Sequence, residues 1–138
     1  MLSKIAEQVS VFDDDLMKFC EDLAETMYVN GGVGLAATQV GDDRKIFVVD
    51  ETGEGKSLLT FVNPLVFPLS MHTVLGREGC LSIPEKNLLI ERYENIRVTA
   101  QDVTGRKFSI DASGYLSRII QHENDHLRGM TMLDRVSK

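Results

Sequence analysis

Cysteine is scarce in this sequence, and several other features are missing altogether. Only two cysteines occur in 138 residues, Cys20 and Cys80. That is too few for a disulfide framework, and the expected setting is a soluble protein of a reducing compartment. The N-terminus, Met1 to Glu7, carries charges and lacks the apolar stretch of a secretory signal. A removed organelle-targeting peptide stays open. No apolar run is long enough to span a bilayer. Lys and Arg form no cluster and the net charge is −6, so neither nucleic acid nor anionic lipid is an expected partner. There is no internal repeat, low-complexity tract or linker. With 43% apolar and 26% charged residues, the composition is that of one globular domain, residues 1–138.

Against that background the periodic segments stand out. Leu16, Phe19, Cys20, Leu23 and Met27 recur at the spacing of one helical face. Asp13, Asp14 and Asp15 crowd the start of this helix, where carboxylates meet free N–H groups, and Gly31 and Gly32 end it. Cys20 lies on the apolar face and is expected to be a buried thiol. Lys45–Asp50 reads as a strand, Glu51–Ser57 as a polar loop, and Leu58–Asn63 as a strand closed by Pro64. Val66–Leu75 is expected to be extended but irregular around Pro68. Leu88–Ile90 and Ile96–Gln101 read as strands, with Lys107–Ile110 pairing back across a turn at Asp102–Gly105. A second helix is expected from Asp111 or Ser113, either of which could cap it, to Gly129. Apolar residues on more than one of its sides predict burial. Helix, short strands, helix is the order of an α+β fold with mainly antiparallel pairing around a buried C-terminal helix.

That second helix contains His122-Glu123-Asn124-Asp125-His126. Histidines at i and i+4 share a helical face, so their rings can share one cation. Glu123 is placed to exchange protons with a water at that site without being a ligand. This is the His-Glu-x-x-His arrangement of metallohydrolases. Two histidines are not enough, because a catalytic site of this kind uses three protein ligands and an open position. Downstream of His126 there is no His or Glu, and Asp134 is the one remaining carboxylate. Upstream, Cys80 in Glu78-Gly79-Cys80-Leu81-Ser82 sits in a Gly-flanked segment, and beside a cation its thiol would ionise and bind. His72 is the competing donor.

A third segment, Gly31-Gly32-Val33-Gly34-Leu35-Ala36-Ala37-Thr38-Gln39, follows a helix and lacks a phosphate-binding Lys. It is therefore no nucleotide loop, and by itself it reads as a helix stop. Taken together, however, Gly32–Gln39, Glu78–Ser82 and Gln121–His126 stand in the order and spacing of the peptide deformylases, and the chain resembles that family over nearly its whole length. The resemblance implies a hydrolase that removes the N-terminal formyl group from formyl-methionyl nascent peptides and releases formate. It implies metal ligands at Cys80, His122 and His126, and a general acid/base at Glu123. It implies oxyanion donors at the Gln39 side chain and the Leu81 N–H. The implied native ion is Fe(II), with Zn(II), Ni(II) or Co(II) as substitutes.

The same resemblance implies peptide contacts from the backbone of Val33 and Gly34. It implies a methionine pocket bordered by Val33, Glu78, Tyr115, Ile119 and the ring of His122, with Gly79 as a further substrate contact and Arg118 reaching the same region. Thr38 stands where the family most often has Pro, and Tyr115 where it usually has an aliphatic residue. Many bacterial members continue into a C-terminal helix that docks on the ribosome, whereas this chain stops at Lys138. Any ribosome contact is thus expected by another route. For the surroundings of the site, Asp125 is expected to pair with Arg92, and Arg77 to brace the Glu78–Cys80 segment. Two other readings are a small zinc endopeptidase, which the missing downstream ligand disfavours, and a non-catalytic metal-binding module, which the presence of Glu123 and Gln39 disfavours.

Overall fold

The computed structural model describes residues 5–80 and 83–130, with side chains in all of these except 79–80 and 83–88. The first helix, α1, runs Asp14–Val29. Asp13 caps it, its side chain accepting from Leu16 N at 3.0 Å. A cap of this type is worth about 1 kcal/mol. Asn30 and Gly31 close it, with Gly31 at φ +70° and the Gly32 N–H returning to Met27 O. Leu16, Cys20, Leu23 and Met27 are buried, as their spacing predicted, and Ala24 joins them, while Phe19 of the same predicted face is half-buried. Burial pushes the Cys20 thiol pKa up to about 11, which leaves it an inert part of the core.

Seven strands follow: β1 (Gly34–Ala36), β2 (Ile46–Val49), β3 (Leu59–Pro68), β4 (Thr73–Cys80), β5 (Ile83–Tyr93), β6 (Asn95–Gln101) and β7 (Lys107–Ser113). Five of them form an antiparallel sheet in the order β1-β2-β3-β6-β7, and β4 and β5 form a separate hairpin. The second helix, α2, spans Gly114–Leu127. The fold is α+β, as expected.

β2 shows how the layers are stacked. All four of its residues are buried. Ile46 and Val48 belong to the apolar cluster under α1, with Leu16, Leu23, Met27 and Val62. Phe47 and Val49 belong to the cluster under α2, with Phe61, Ile96, Val98, Ile119, Ile120 and Leu127. Alternate residues of a strand face opposite sides, so this strand is sandwiched between the two helices. Each large side chain fully buried here contributes about 1.5–3 kcal/mol.

Some sequence expectations are corrected. Pro64 does not close its strand: β3 continues to Pro68, with a register shift between Val62 and Leu65. The bulge absorbs the missing donor of Pro64. Asn63 takes φ +53° there, a region asparagine tolerates, and its side chain binds Val9 N at 2.7 Å and Val9 O at 2.9 Å. The segment expected to be a helix stop contains strand β1 and a 3-10 turn, Ala37–Val40. β5 is far longer than Leu88–Ile90. Ser113 occupies the N-cap position of α2 without a side-chain capping bond. None of the helices in the described residues is long and apolar enough to cross a membrane.

Candidate metal and active site

The site forms where α2 crosses β1 and the β4–β5 hairpin. His122, Glu123 and His126 are all buried, His126 to 1% exposure. The two Nε2 atoms face each other at 3.3 Å, with the rings nearly perpendicular at 78°. Imidazole nitrogens facing each other at this distance need a shared proton or a shared cation. Two nitrogens ligating one tetrahedral ion at ~2.0–2.1 Å stand about 3.3–3.4 Å apart, so the spacing fits a metal ion.

The orientation of His122 has a visible cause. Its Nδ1 lies 2.8 Å from Glu78 Oε1. Burial disfavours the charge on Glu78, but hydrogen bonds from Arg92 and from His122 outweigh it and bring its pKa down to about 2. The carboxylate is therefore an acceptor, Nδ1 carries the proton, and Nε2 keeps its lone pair for a ligand. Arg92 grips both Glu78 oxygens at 2.8 Å and reaches Asp125 Oδ2 at 2.6 Å. The expected Arg92–Asp125 pair is present. Arg77, by contrast, is exposed, and the arginines holding Glu78 are Arg92 and Arg118. The bond between Glu78 and His122 spans 44 positions and was not part of the sequence expectation, which placed both only at the border of one pocket; the hairpin and helix bring them together.

Of the expected ligands, His122 and His126 converge. The side chain of Cys80 lies outside the described residues, although its backbone ends β4 with a register shift between Glu78 and Cys80. Among the described residues no group of three His, Cys, Asp or Glu side chains meets at one point. His72, the competing donor, is exposed and precedes β4. Leu81 lies outside the described residues.

Gln39 sits on the 3-10 turn after β1, and its Oε1 accepts from Ala36 N at 2.8 Å. Anchoring the oxygen fixes the amide plane and defines the NH₂ end as the donor end. Thr38 donates to His126 O at 3.2 Å and ties this turn to α2. Gly34 is buried beside Glu123. Val33 and Gln39 are half-buried, Ile119 is buried, and Tyr115 is 56% exposed. Tyr115, Ile119 and His122 follow helical spacing along one side of α2. Arg118 is bound to Glu78 and to carbonyls of the hairpin.

Comparison with known proteins decides the family. The profile described as polypeptide deformylase matches residues 1–138. This chain belongs to the polypeptide deformylase family. It is 43% identical over 136 residues to the peptide deformylase of Polynucleobacter necessarius, covering 99% of this chain and 80% of that one. To the crystal structure of Thermotoga maritima peptide deformylase it is 41% identical with a TM-score of 0.94, covering 99% of this chain and 91% of that one. To the Synechococcus elongatus peptide deformylase solved in complex with actinonin it is 39% identical with a TM-score of 0.95, covering 99% of this chain and 76% of that one. Peptide deformylases are metal-dependent hydrolases that remove N-terminal formyl groups from nascent peptides, and this chain is a hydrolase of that family.

Proposed function

We propose that residues 1–138 form one catalytic domain in which Cys80, His122 and His126 hold a single divalent ion, Fe(II) natively, with Zn(II), Ni(II) or Co(II) able to replace it. The observation that carries this is the pair of Nε2 atoms 3.3 Å apart, one of them aimed by Glu78 through Nδ1. Two imidazoles and a thiolate also suit zinc by softness; the preference for iron rests on the family resemblance. When bound, the ion supplies Lewis acidity and lowers the pKa of water toward ~7.

The protein groups do the rest. Glu123 lies against Gly34, on the edge strand of the five-stranded sheet. An extended formyl-methionyl peptide adds to that edge through the backbone of Val33 and Gly34. Its methionine side chain lies along Val33, Tyr115 and Ile119, with the Glu78–Gly79 segment behind them. Glu123 takes a proton from the attacking water and passes it to the leaving amine, acting as base and then as acid. Charge growing on the formyl oxygen is met by the Gln39 amide and the Leu81 N–H, and one such donor is typically worth ~3 kcal/mol in the transition state. Newly made formylated chains as substrate fit the cytoplasm of a bacterium or of an infected bacterial host.

The test is formate release from formyl-Met-Ala-Ser, without oxygen, by protein loaded with Fe(II) or Ni(II). Release abolished by Glu123→Ala, with metal retained, is the expected result. No release by the metal-loaded protein overturns the reading. Metal analysis of anaerobically purified protein decides the native ion, and Cys80→Ser with undiminished metal binding removes Cys80 from the ligand set.

A further inference from the structure

Arg118 precedes His122 by four residues and Asp125 by seven, so the three share a face of α2. Its side chain is only 12% exposed. Nη1 donates to Glu78 Oε2 at 2.7 Å and to Ile90 O at 2.8 Å, and Nη2 donates to Val74 O at 2.6 Å. These acceptors are the carboxylate that holds His122, a carbonyl of β5 and a carbonyl of β4. One planar fork therefore spans both strands of the hairpin and fastens them to the helix that carries both histidines.

Gly76 on β4 makes room for it. A Cβ built there would stand 2.9 Å from Arg118 Cζ and 3.0 Å from Nε and Nη2, so the guanidinium would have to shift to admit it. Gly76 is not among the glycines with positive φ, so a side chain here would meet the guanidinium rather than strain the backbone. Arg92 already holds Glu78 by two bonds. With Arg118 added, Oε2 has two charged donors while Oε1 faces Arg92 and the His122 ring. Held from both ends, the carboxylate cannot turn without breaking a charge-assisted bond.

We propose that Arg118, seated in the recess at Gly76, is a positioning residue: it locks the Glu78 carboxylate and the β4–β5 hairpin onto α2, and so aims His122 Nε2 and holds the end of β4, where Cys80 stands, at the ion. The inference rests on the metal-site reading above. It makes a prediction of opposite sign to simple electrostatics. Removing a cation beside a divalent ion should tighten binding by charge, whereas loss of positioning should loosen it.

The experiment follows Co(II) bound to the full chain, by its visible ligand-field bands and by its release to a chelator, alongside thermal unfolding of the metal-free protein. Arg118→Ala is expected to release Co(II) at least 10-fold faster and to shift the bands, in line with the ~10–100-fold effect of removing groups that orient metal ligands. Arg118→Lys, which keeps the charge but not the fork, is expected to fall between. Gly76→Ala keeps every charge yet crowds the guanidinium, and is expected to speed release in the wild-type background and to add nothing on top of Arg118→Ala. A wild-type chain that binds no Co(II) overturns the metal-site reading and this inference with it. Arg118→Ala with wild-type release and bands, whatever its melting temperature, overturns the inference alone. So does Gly76→Ala whose effect adds in full to that of Arg118→Ala.

Discussion

A Cβ on Gly34 would stand 2.7 Å from Glu123 Oε2 and 2.9 Å from its Cγ, so the Glu123 carboxylate, the proposed proton-transfer group, lies directly against the backbone of the edge strand. Gly34→Ala must displace one or the other. A misplacement of about 1 Å costs on the order of 100-fold in rate, and the loss should appear mainly in kcat, with metal content unchanged. Steady-state kinetics on formyl-Met-Ala-Ser with metal analysis checks this; a variant with wild-type kcat would show that Glu123 does not need this seat.

Glu123→Gln keeps the size of the side chain and removes its basicity. The expected outcome is full metal occupancy with turnover lowered by about 100- to 10,000-fold, the range for losing a general acid–base group. Metal quantification and single-turnover formate release measure both halves. Lost metal would instead make Glu123 a ligand or a support for one.

How much of this could be read in the sequence depends on chain separation. Residues His122, Glu123 and His126 lie within one helical turn, so periodicity alone places them together. The α1 face was legible for the same reason. The lack of downstream donors pointed to Cys80, whose side chain lies outside the described residues, and the expected Arg92–Asp125 pair is present. The bond from Glu78 to His122 was not legible, because it depends on the β4–β5 register and on how that hairpin meets α2. Sequence suggested Glu78 and Arg118 as pocket residues; they are bound to each other, which only tertiary packing decides. β1 was missed because three residues rich in small side chains carry too little periodicity, and β3 was cut short because a proline inside a strand reads as its end unless a bulge admits it.

Arg92 is 4% exposed and stands between two carboxylates that are also buried, Glu78 at 6% and Asp125 at 4%. Replacing it with Ala leaves both acids buried with one fewer cation. Breaking a buried pair in this way costs about 3–5 kcal/mol. Urea unfolding of metal-free Arg92→Ala against wild type should show that loss. A change below 1 kcal/mol would mean that Arg118 alone balances the cluster.

Asp50 links the end of α1 to the loop after β2, and gives a prediction in pH. Its carboxylate accepts from Tyr28 Oη at 2.6 Å, Thr52 Oγ1 at 2.6 Å, Thr52 N at 2.9 Å and Gly55 N at 2.9 Å. Burial opposes its charge, but these hydrogen bonds outweigh it and hold its pKa well below the ordinary carboxylate range. The folded value lies below the unfolded one of about 3.9. Stability from Asp50 is therefore fully present above the unfolded value and lost as the pH falls through it toward the folded one. Asp50→Asn removes that dependence. The two chains share every other titrating group, so the gap between their melting temperatures isolates Asp50: it should be widest above about pH 5 and narrow steadily toward pH 2. The Asp50 N–H also donates to Val33 O at 2.8 Å, which ties this cluster to the segment that leads into β1. Melting curves of both metal-free chains across that range make the comparison, and a gap that stays constant with pH would mean that the Asp50 carboxylate contributes nothing through its charge.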